Sequence, residues 1–173
     1  MQILKRFKLI TTFIFDMDGV LTDGNILIDK DNNWLRSMNV RDGYALQLAV
    51  KSGYRVVVIS GSNSGPVTER LKRLGIKEVF MNVTSKADFL KEYMKINNLH
   101  SEEVLFMGDD IPDYFCMKMA GISACPSDAA LEIRDAASYI SNCRGGDGCA
   151  RDVVEKVLKL NGHWQLENNI PST

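Results

Sequence analysis

The chain has 173 residues, of which 45% are hydrophobic and 25% are charged. This length and composition are typical of one globular domain with a sizeable core. A formal net charge of −1 gives no electrostatic reason to expect nucleic acid or an anionic membrane as a partner. No apolar run reaches the roughly 18 residues of a membrane-spanning helix. We expect no signal peptide, because the apolar run at 9–15 leads directly into acids at Asp16 and Asp18.

The cysteine pattern favours a reducing compartment. No two cysteines are spaced as C-x-x-C, and the histidines lie far from any zinc-binding set. We therefore expect reduced thiols in a cytoplasmic protein, although the pair that flanks a glycine-rich loop could be redox-sensitive. The residues concerned are Cys116, Cys125, His100 and His163, and the flanking pair is Cys143 and Cys149.

Short apolar segments rich in β-branched residues alternate with segments of helical periodicity. Continuous apolar strands of this kind are typical of a parallel sheet whose two faces are both covered by helices. The sequence therefore predicts an α/β fold with a parallel sheet between two layers of helices. The predicted strands are residues 11–15, 54–60, 78–81, 104–107, 121–124 and 139–140.

Two of the predicted helices have clear physical ends. One begins after an N-cap at Ser64, has Pro66 in its first turn and ends at Gly75. The next begins at Thr84 or Ser85, both of which are good N-cap residues, and its apolar side chains recur at helical spacing.

The C-terminal half contains two more predicted helices. Pro112 begins one of them, and residues 152–160 form the last. The residues that follow are polar and show no periodicity. We therefore expect one domain over residues 1–160 and a loosely held tail over residues 161–173.

One segment interrupts the alternation of strands and helices. Residues 25–29 and 34–38 have strand character and flank a turn-rich stretch at 30–33, which predicts a β-hairpin over about 25–39, after the first strand. An insertion this small cannot form a lid domain. A site beneath it would have an open mouth, which either a macromolecular substrate or a neighbouring subunit must complete. We favour the subunit.

The most informative motif follows the first predicted strand and reads Asp16-Met17-Asp18-Gly19. Open α/β sheets bind their ligands at the carboxyl ends of their strands. A carboxylate at that position can attack phosphorus to form an aspartyl phosphate. A second carboxyl group beside it can protonate the leaving oxygen.

Two further segments supply groups suited to a phosphate. Ser60 and Gly61 end the predicted strand at 54–60, where a hydroxyl can donate and a glycine allows the backbone to approach closely. Lys86 lies near the start of a predicted helix, and its point charge suits a phosphate and an aspartate together.

A fourth segment, Gly-Asp-Asp-Ile-Pro-Asp at residues 108–113, follows another apolar strand. Clustered carboxylates are costly unless a cation compensates for them. Mg²⁺ takes oxygen ligands, including one or two carboxylates. Asp109 is the best candidate ligand together with Asp16. Asp110 and Asp113 are secondary candidates, one of which could act through water or hold Lys86.

In order and character, these four segments resemble the four motifs of the haloacid dehalogenase phosphohydrolases. The resemblance spans residues 16–113 and implies a Rossmann-like core with Mg²⁺ as the cofactor. It assigns Asp16 as the nucleophile and Asp18 as the general acid/base, whose backbone carbonyl also contacts the metal. It assigns Ser60 and Lys86 to the phosphoryl group.

Two other segments resemble one small-cap group of that family, the 3-deoxy-D-manno-octulosonate 8-phosphate (Kdo 8-phosphate) phosphatases. They are residues 39–43 and 144–151, and the resemblance extends from Phe13 to about Leu158. These enzymes are tetramers whose hairpins form a barrel, and a neighbouring subunit caps each site. By this resemblance, the substrate-binding residues are Asp18, Asn39, Val40, Arg41, Asp42, Gly43, Gly61, Arg70 and Lys86.

The chemistry of a sugar acid phosphate fits this assignment, since Arg41 could hold the substrate carboxylate in a bidentate fork. Two positions depart from the group, because Ser62 and Gln47 stand where arginines are usual. We expect the enzyme to release Kdo and phosphate from Kdo 8-phosphate, a step in lipopolysaccharide precursor synthesis. Three alternatives are open: a nine-carbon 2-keto-3-deoxynononate 9-phosphate or other sialic-acid-type substrate, a protein substrate, and a non-catalytic scaffold.

Overall fold

The computed structural model describes residues 2–165. The strands within them are β1 (Thr12–Phe15), β2 (Leu27–Ile28), β3 (Trp34–Leu35), β4 (Arg55–Ile59), β5 (Glu78–Phe80), β6 (Val104–Met107), β7 (Ile122–Cys125) and β8 (Tyr139–Ile140). The helices are α1 (Gln2–Leu9), α2 (Val40–Lys51), α3 (Gly65–Arg73), α4 (Lys86–Ile96), α5 (Tyr114–Met119), α6 (Leu131–Ala136) and α7 (Cys149–Leu160).

Six strands form one parallel sheet in the order β5-β4-β1-β6-β7-β8. The order reverses direction at β1, which lies between β4 and β6. In register, Phe15 at the end of β1 pairs with Val58 of β4 and Met107 of β6. This reversal is the topological switch point at which open α/β sheets form their binding crevice. The carboxyl end of β1 is therefore where the fold places a site.

Helices cover both faces of the sheet, as predicted. Alternate side chains of β1 point to opposite faces, so Phe13 and Phe15 belong to one hydrophobic cluster and Ile14 to the other. The first cluster packs under α1, α2, α3 and α7, and the second under α4, α5 and α6. These side chains are fully buried, so the site at the end of β1 rests on a rigid support.

The expected strands all form, with ends that differ by one residue in most cases. Ser64 and Ser85 are the N-caps of α3 and α4, accepting hydrogen bonds from Val67 and Asp88. The sequence analysis missed α1, α2 and α6. It also placed the start of the last helix at residue 152, whereas α7 begins at Cys149.

The predicted hairpin is present, with short antiparallel strands in which Leu27 pairs with Leu35 and Ile28 with Trp34. Its apolar side chains face solvent in the single chain, because Leu27 is 67% and Trp34 is 57% exposed. No helix within residues 2–165 combines the length and apolarity that a membrane crossing requires.

His163 and Trp164, which are among the first five residues of the predicted tail, contact the body of the protein. The Tyr54 hydroxyl is 2.9 Å from His163 Nδ1, and Trp164 packs edge-on against Tyr44. The rest of the tail, residues 166–173, lies outside the described residues. The boundary at residue 160 and the loose character of the tail stay predictions.

Candidate active site

Asp16 is the first residue after β1 and is only 7% exposed. Its backbone amide donates to the Met107 carbonyl at 3.0 Å, which extends the pairing of β1 with β6 by one residue. Its carboxylate Oδ1 accepts a hydrogen bond from the Met17 amide at 2.7 Å. The strand end therefore fixes both the position and the orientation of this carboxylate.

A tight turn over Met17–Leu21 follows and directs Asp18 back towards the same site. Gly19 adopts φ +83°, and a Cβ atom there would lie 2.0 Å from Asp109 Oδ2. Only glycine satisfies both the left-handed backbone and this close approach. The glycine thus allows the first acidic motif to meet the acids that follow β6.

Lys86 begins α4 and connects two of the acids. Its Nζ lies 2.8 Å from Asp16 Oδ1 and 2.8 Å from Asp113 Oδ1. Asp113 is fully buried, and its other oxygen accepts a hydrogen bond from the Asp109 amide at 3.1 Å. The structure therefore brings Asp16, Lys86, Asp109 and Asp113 together, and Asp113 is the acid that holds Lys86.

The cluster is short of positive charge. Burial, with a smaller contribution from the charge of Asp113, raises the pKa of Asp16 to about 8 despite the nearby Lys86. Burial and the charges of Asp113 and Asp110 raise the pKa of Asp109 to about 7. Burial lowers the pKa of Lys86, but Asp16 and Asp113 outweigh it, so the net shift is upwards. When all three carboxylates are ionised, the single ammonium of Lys86 leaves two negative charges uncompensated.

These acids fit a hard divalent cation. Carboxylate oxygens of Asp16, Asp109 and Asp113 all lie within 4.8 Å of one another, and carboxylate oxygens are preferred ligands of Mg²⁺. The charge of such an ion equals the charge that Lys86 leaves uncompensated. Asp110, a secondary candidate from the sequence, is exposed and outside this cluster.

Asp18 lies beside the cluster and has its own set of partners. Arg36, which follows β3 of the hairpin, donates from Nε to Oδ1 at 2.7 Å and from Nη2 to Oδ2 at 3.1 Å. The Ser62 hydroxyl donates to Oδ2 at 2.6 Å. Burial raises the pKa of Asp18, but the hydrogen bonds from Arg36 and Ser62 outweigh it, so the pKa lies below its ordinary value.

Ser60 follows β4 and is 2% exposed. Its hydroxyl accepts a hydrogen bond from the Ser62 amide at 3.1 Å and lies 3.3 Å from the Ser62 hydroxyl. Ser60 is therefore linked to Asp18 through Ser62. Gly61 between them is exposed, which leaves the backbone of this loop open to a ligand.

Comparisons with known proteins agree with this geometry. A family model of the haloacid dehalogenase-like hydrolases matches residues 72–152. The chain is 30% identical over 161 residues to the 3-deoxy-D-manno-octulosonate 8-phosphate phosphatase KdsC of Salmonella typhi, covering 93% of this chain and 86% of that protein. The chain belongs to the haloacid dehalogenase-like hydrolases. The match to KdsC extends over the motif at Asp16 and over the hairpin, which the family model does not reach.

Solved structures show the same relationship. The Yersinia pestis 3-deoxy-D-manno-octulosonate 8-phosphate phosphatase superposes with a TM-score of 0.89 at 29% identity, covering 92% of this chain and 86% of that one. The Moraxella catarrhalis enzyme, solved with a magnesium ion, a phosphate ion and a KDO molecule, gives 0.88 at 30% identity, with coverages of 92% and 91%. The fold and the enzyme class expected from the sequence, those of a haloacid dehalogenase phosphatase, are confirmed.

The acids and Lys86 line a cavity of about 260 Å³. Asp16, Asp18, Lys86, Asp109 and Asp113 all contribute to its wall, together with Gly24, Asp110 and Pro112. In this haloacid dehalogenase-like hydrolase the cavity is small enough to be filled by a phosphoryl group and the atoms next to it.

The segment 39–43 does not reach this cavity within one chain. Asn39 caps α2 by accepting from the Arg41 amide at 2.8 Å, and Val40 is 62% exposed. Asn39 and Arg41 line a separate cavity of about 710 Å³ beside α7. Val40 and Arg41 are therefore exposed on the surface of the chain, and Asn39 beside them is half-buried.

Asp42 and Gly43 are buried within the chain. The Asp42 carboxylate accepts from the Arg151 amide at 2.6 Å and from the Gly148 amide at 3.2 Å, so it caps the start of α7. Burial raises the pKa of Asp42 to about 6, although these two amides oppose the shift. A Cβ on Gly43 would lie 3.0 Å from Arg70 Nη2. Within one chain both residues pack against other elements of the fold, and their contact with substrate stays a prediction.

The glycine-rich loop before α7 supports the turn that carries Asp18. The Gly146 amide donates to the Val20 carbonyl at 2.9 Å, and a Cβ on Gly145 would lie 2.0 Å from the Gly19 carbonyl oxygen. Cys149, which follows this loop, donates from its thiol to the same Val20 carbonyl at 3.2 Å. The loop therefore acts on the site through the backbone of residues 19–22.

The two positions that depart from the substrate group have different surroundings. Gln47 is 8% exposed within α2. Ser62 lies 3.3 Å from Arg36 Nη2, so a guanidinium group from the hairpin approaches the loop in which an arginine was expected. Sequence reasoning missed Arg36. Its one sequence signal is a cation within an otherwise apolar hairpin strand.

Proposed function

We propose that the chain is a Mg²⁺-dependent phosphatase that hydrolyses Kdo 8-phosphate to Kdo and phosphate through an aspartyl-phosphate intermediate. The observation that carries the chemistry is the convergence of Asp16, Lys86, Asp109 and Asp113 at the carboxyl end of β1. The sequence identity of 30% to KdsC, in a match that covers 93% of the chain, supports Kdo 8-phosphate as the substrate. The eight-carbon acid is the KDO of the Moraxella catarrhalis complex.

In the first step, the Asp16 carboxylate attacks phosphorus and the ester bond to the sugar oxygen breaks. Asp18 delivers a proton to that oxygen, because the negative charge of the bound phosphate raises its pKa against the hydrogen bonds from Arg36 and Ser62 that lower it in the free chain. In the second step, water attacks the phosphorus of the acyl phosphate, its proton passes to Asp18, and the Asp16 carboxylate is released. In an in-line displacement the leaving oxygen of the first step and the attacking water of the second are both opposite Asp16, so one carboxyl group can serve as acid and then as base.

The groups around Asp16 and Asp18 offset the negative charge of the phosphoryl group. Lys86 contacts the Asp16 carboxylate and offsets negative charge as the phosphoryl group arrives. Ser60 and the Gly61 backbone supply donors to the phosphoryl oxygens. Asp16, Asp109 and the backbone carbonyl of Asp18 would hold Mg²⁺, with Asp113 beside them. When bound, the ion neutralises the phosphoryl oxygens and aligns them for displacement.

The test of this function is phosphate release from a panel of Kdo 8-phosphate, the nine-carbon 2-keto-3-deoxynononate 9-phosphate and simple hexose phosphates. We expect a preference in kcat/KM of about a hundredfold, near 2.7 kcal/mol, for the eight-carbon acid. A preference for the nine-carbon acid would make Ser62 and Gln47 specificity determinants and overturn the substrate. Absence of turnover on every ester, including an aryl phosphate, would favour a scaffold.

We further propose a cytoplasmic homotetramer in which a neighbouring subunit completes each site, with Arg41 and Arg70 serving the substrate carboxylate across that boundary. The support is the exposed apolar surface of the hairpin and the outward position of Arg41. A tetramer with a closed site also argues against a protein substrate. The free state of the cysteines, which include the buried Cys149, suits a reducing compartment.

Sedimentation velocity tests the assembly. We expect the unaltered chain to sediment as a tetramer and Leu27→Lys to dissociate it, because a charge on an apolar interface is strongly unfavourable. The matched control is Leu131→Lys, since Leu131 of α6 is 61% exposed against 67% for Leu27 and lies away from the hairpin. A monomeric unaltered chain would contradict the proposal.

A further inference from the structure

Arg36 reaches the active site from the hairpin, an element to which none of the four acidic or phosphate-binding motifs belongs. Its side chain is 2% exposed, although Trp34 and Leu35 just before it are 57% and 44% exposed. Fixing an arginine side chain costs conformational entropy. A guanidinium buried in this way, on an otherwise solvent-facing hairpin, is held by specific partners.

Those partners occupy both oxygens of one carboxylate. Arg36 donates to Asp18 Oδ1 and Oδ2 at 2.7 and 3.1 Å, in the two-point geometry that fixes the plane of a carboxylate. Ser62 donates to Oδ2 at 2.6 Å, and Thr22 lies 3.4 Å from Oδ1. Of these groups, only Arg36 contacts both oxygens. It therefore sets the orientation of the carboxyl group.

Asp18 needs such an anchor because its backbone does not provide one. It lies within a tight turn, with φ −76° and ψ 125°, and its side chain is 28% exposed. A group that transfers protons must be held within hydrogen-bond reach of the reacting oxygen, by neighbours that lock its rotamer. Asp16, by contrast, is already fixed by the strand end, the Met17 amide and Lys86.

We propose that Arg36 is a positioning residue that holds the Asp18 carboxyl group in place for proton transfer, so that the hairpin takes part in catalysis. The proposal rests on the role of Asp18 as the acid/base given above. The short side chain of Ser62 completes the arrangement, because it lets the guanidinium approach to 3.3 Å while its hydroxyl donates to Asp18. The hairpin and the loops after β1 and β4 thus meet at one carboxylate.

The test compares kcat/KM for two phosphate monoesters, one with an alkyl and one with a nitrophenyl leaving group. kcat/KM reports the steps up to departure of the leaving group. An alkoxide must be protonated as it leaves, whereas nitrophenolate leaves without a proton. Loss of a correctly placed Asp18 therefore reduces the alkyl reaction alone, while loss of folding or of phosphate binding reduces both.

For Arg36→Ala we expect kcat/KM to fall about 10²-fold on the alkyl ester and less than about threefold on the nitrophenyl ester, within the range for general acid catalysis. Arg36→Lys should recover part of the difference, because an ammonium group can hold one of the two oxygens. The control is Lys30→Ala on the same hairpin, whose side chain is 89% exposed and paired only with Asp31 among the described residues. It should change neither reaction.

Equal losses on the two esters, or no loss on either, would overturn the proposal. Ser62→Ala is a second, milder variant that removes one donor and no charge, and it should shift the ratio in the same direction by a smaller factor. The proposal would also be overturned if Ser62→Ala left the ratio of kcat/KM for the two esters unchanged and Arg36→Lys reduced kcat/KM equally on both esters. Neither ester contains the proposed sugar. If the sugar assignment is wrong, the results of the sugar phosphate panel change, but the ratio of kcat/KM for the alkyl and nitrophenyl esters still tests the role of Arg36.

Discussion

Replacing Asp16 by asparagine abolishes phosphate release, with a loss in kcat of at least about 10⁴-fold, because the amide cannot form the acyl phosphate. The effect should be equally large on every phosphate ester, since all of them must pass through the same carboxylate. The measurement is steady-state phosphate release with saturating Mg²⁺. Retained turnover would exclude Asp16 as the nucleophile.

The fold provides a stringent control for this variant. An asparagine side chain has nearly the same shape, and its carbonyl oxygen can still accept from the Met17 amide and from Lys86, the present partners of Asp16 Oδ1. Removing one charge from a buried cluster with excess negative charge also relieves repulsion. We therefore expect the midpoint of thermal unfolding to stay the same or rise, which separates loss of chemistry from loss of structure.

Removing the divalent cation has the second-largest effect. Chelation should reduce turnover to background and added Mg²⁺ should restore it, because two negative charges of the acidic cluster then oppose the incoming phosphate dianion. Asp109→Asn should produce a loss of about 10²-fold or more that excess Mg²⁺ only partly overcomes. Full activity in the presence of chelator would contradict the metal site.

Asp110→Asn is the matched variant, since Asp110 is adjacent in sequence but exposed and outside the cluster. We expect it to lose about tenfold or less, the range for a group that acts through water. The metal-free protein gives an independent readout. Burial raises the pKa of Asp109 from its ordinary value of 3.8 to about 7, so the metal-free folded state loses stability as the pH rises from about 4 to about 7, and the full loss is present above pH 7. Metal-free Asp109→Asn should therefore unfold at a higher temperature than the unaltered chain above pH 7.

The sequence was sufficient to predict the parts of the site that lie at element ends. Asp16 follows a strand, Lys86 begins a helix and Asp109 follows another strand, so each is marked by a change of local pattern. Parallel strands bring their carboxyl ends to one edge, and this topology alone places Asp16 near Asp109. These inferences needed no knowledge of side-chain packing.

The parts that sequence reasoning missed depend on contacts between distant residues. The Asp42 carboxylate caps α7 by accepting from the amides of Gly148 and Arg151, which are 106 and 109 positions away in the chain. No local sequence pattern around residue 42 predicts these contacts. Arg36 reaches Asp18 only because the hairpin folds over the site. Helix α2 was missed because Gly43 lowers its helix propensity and because its first residues were interpreted as a ligand-binding segment.

Direct detection of the covalent intermediate is the sharpest test of Asp16 as the nucleophile that forms an aspartyl phosphate. The enzyme is quenched in acid during turnover of Kdo 8-phosphate with Mg²⁺, and its peptides are then examined by mass spectrometry. We expect a phosphoryl group on the peptide that contains Asp16, bound to that residue and lost in Asp16→Asn. A phosphoryl group on a different residue, or none during steady turnover, would contradict it.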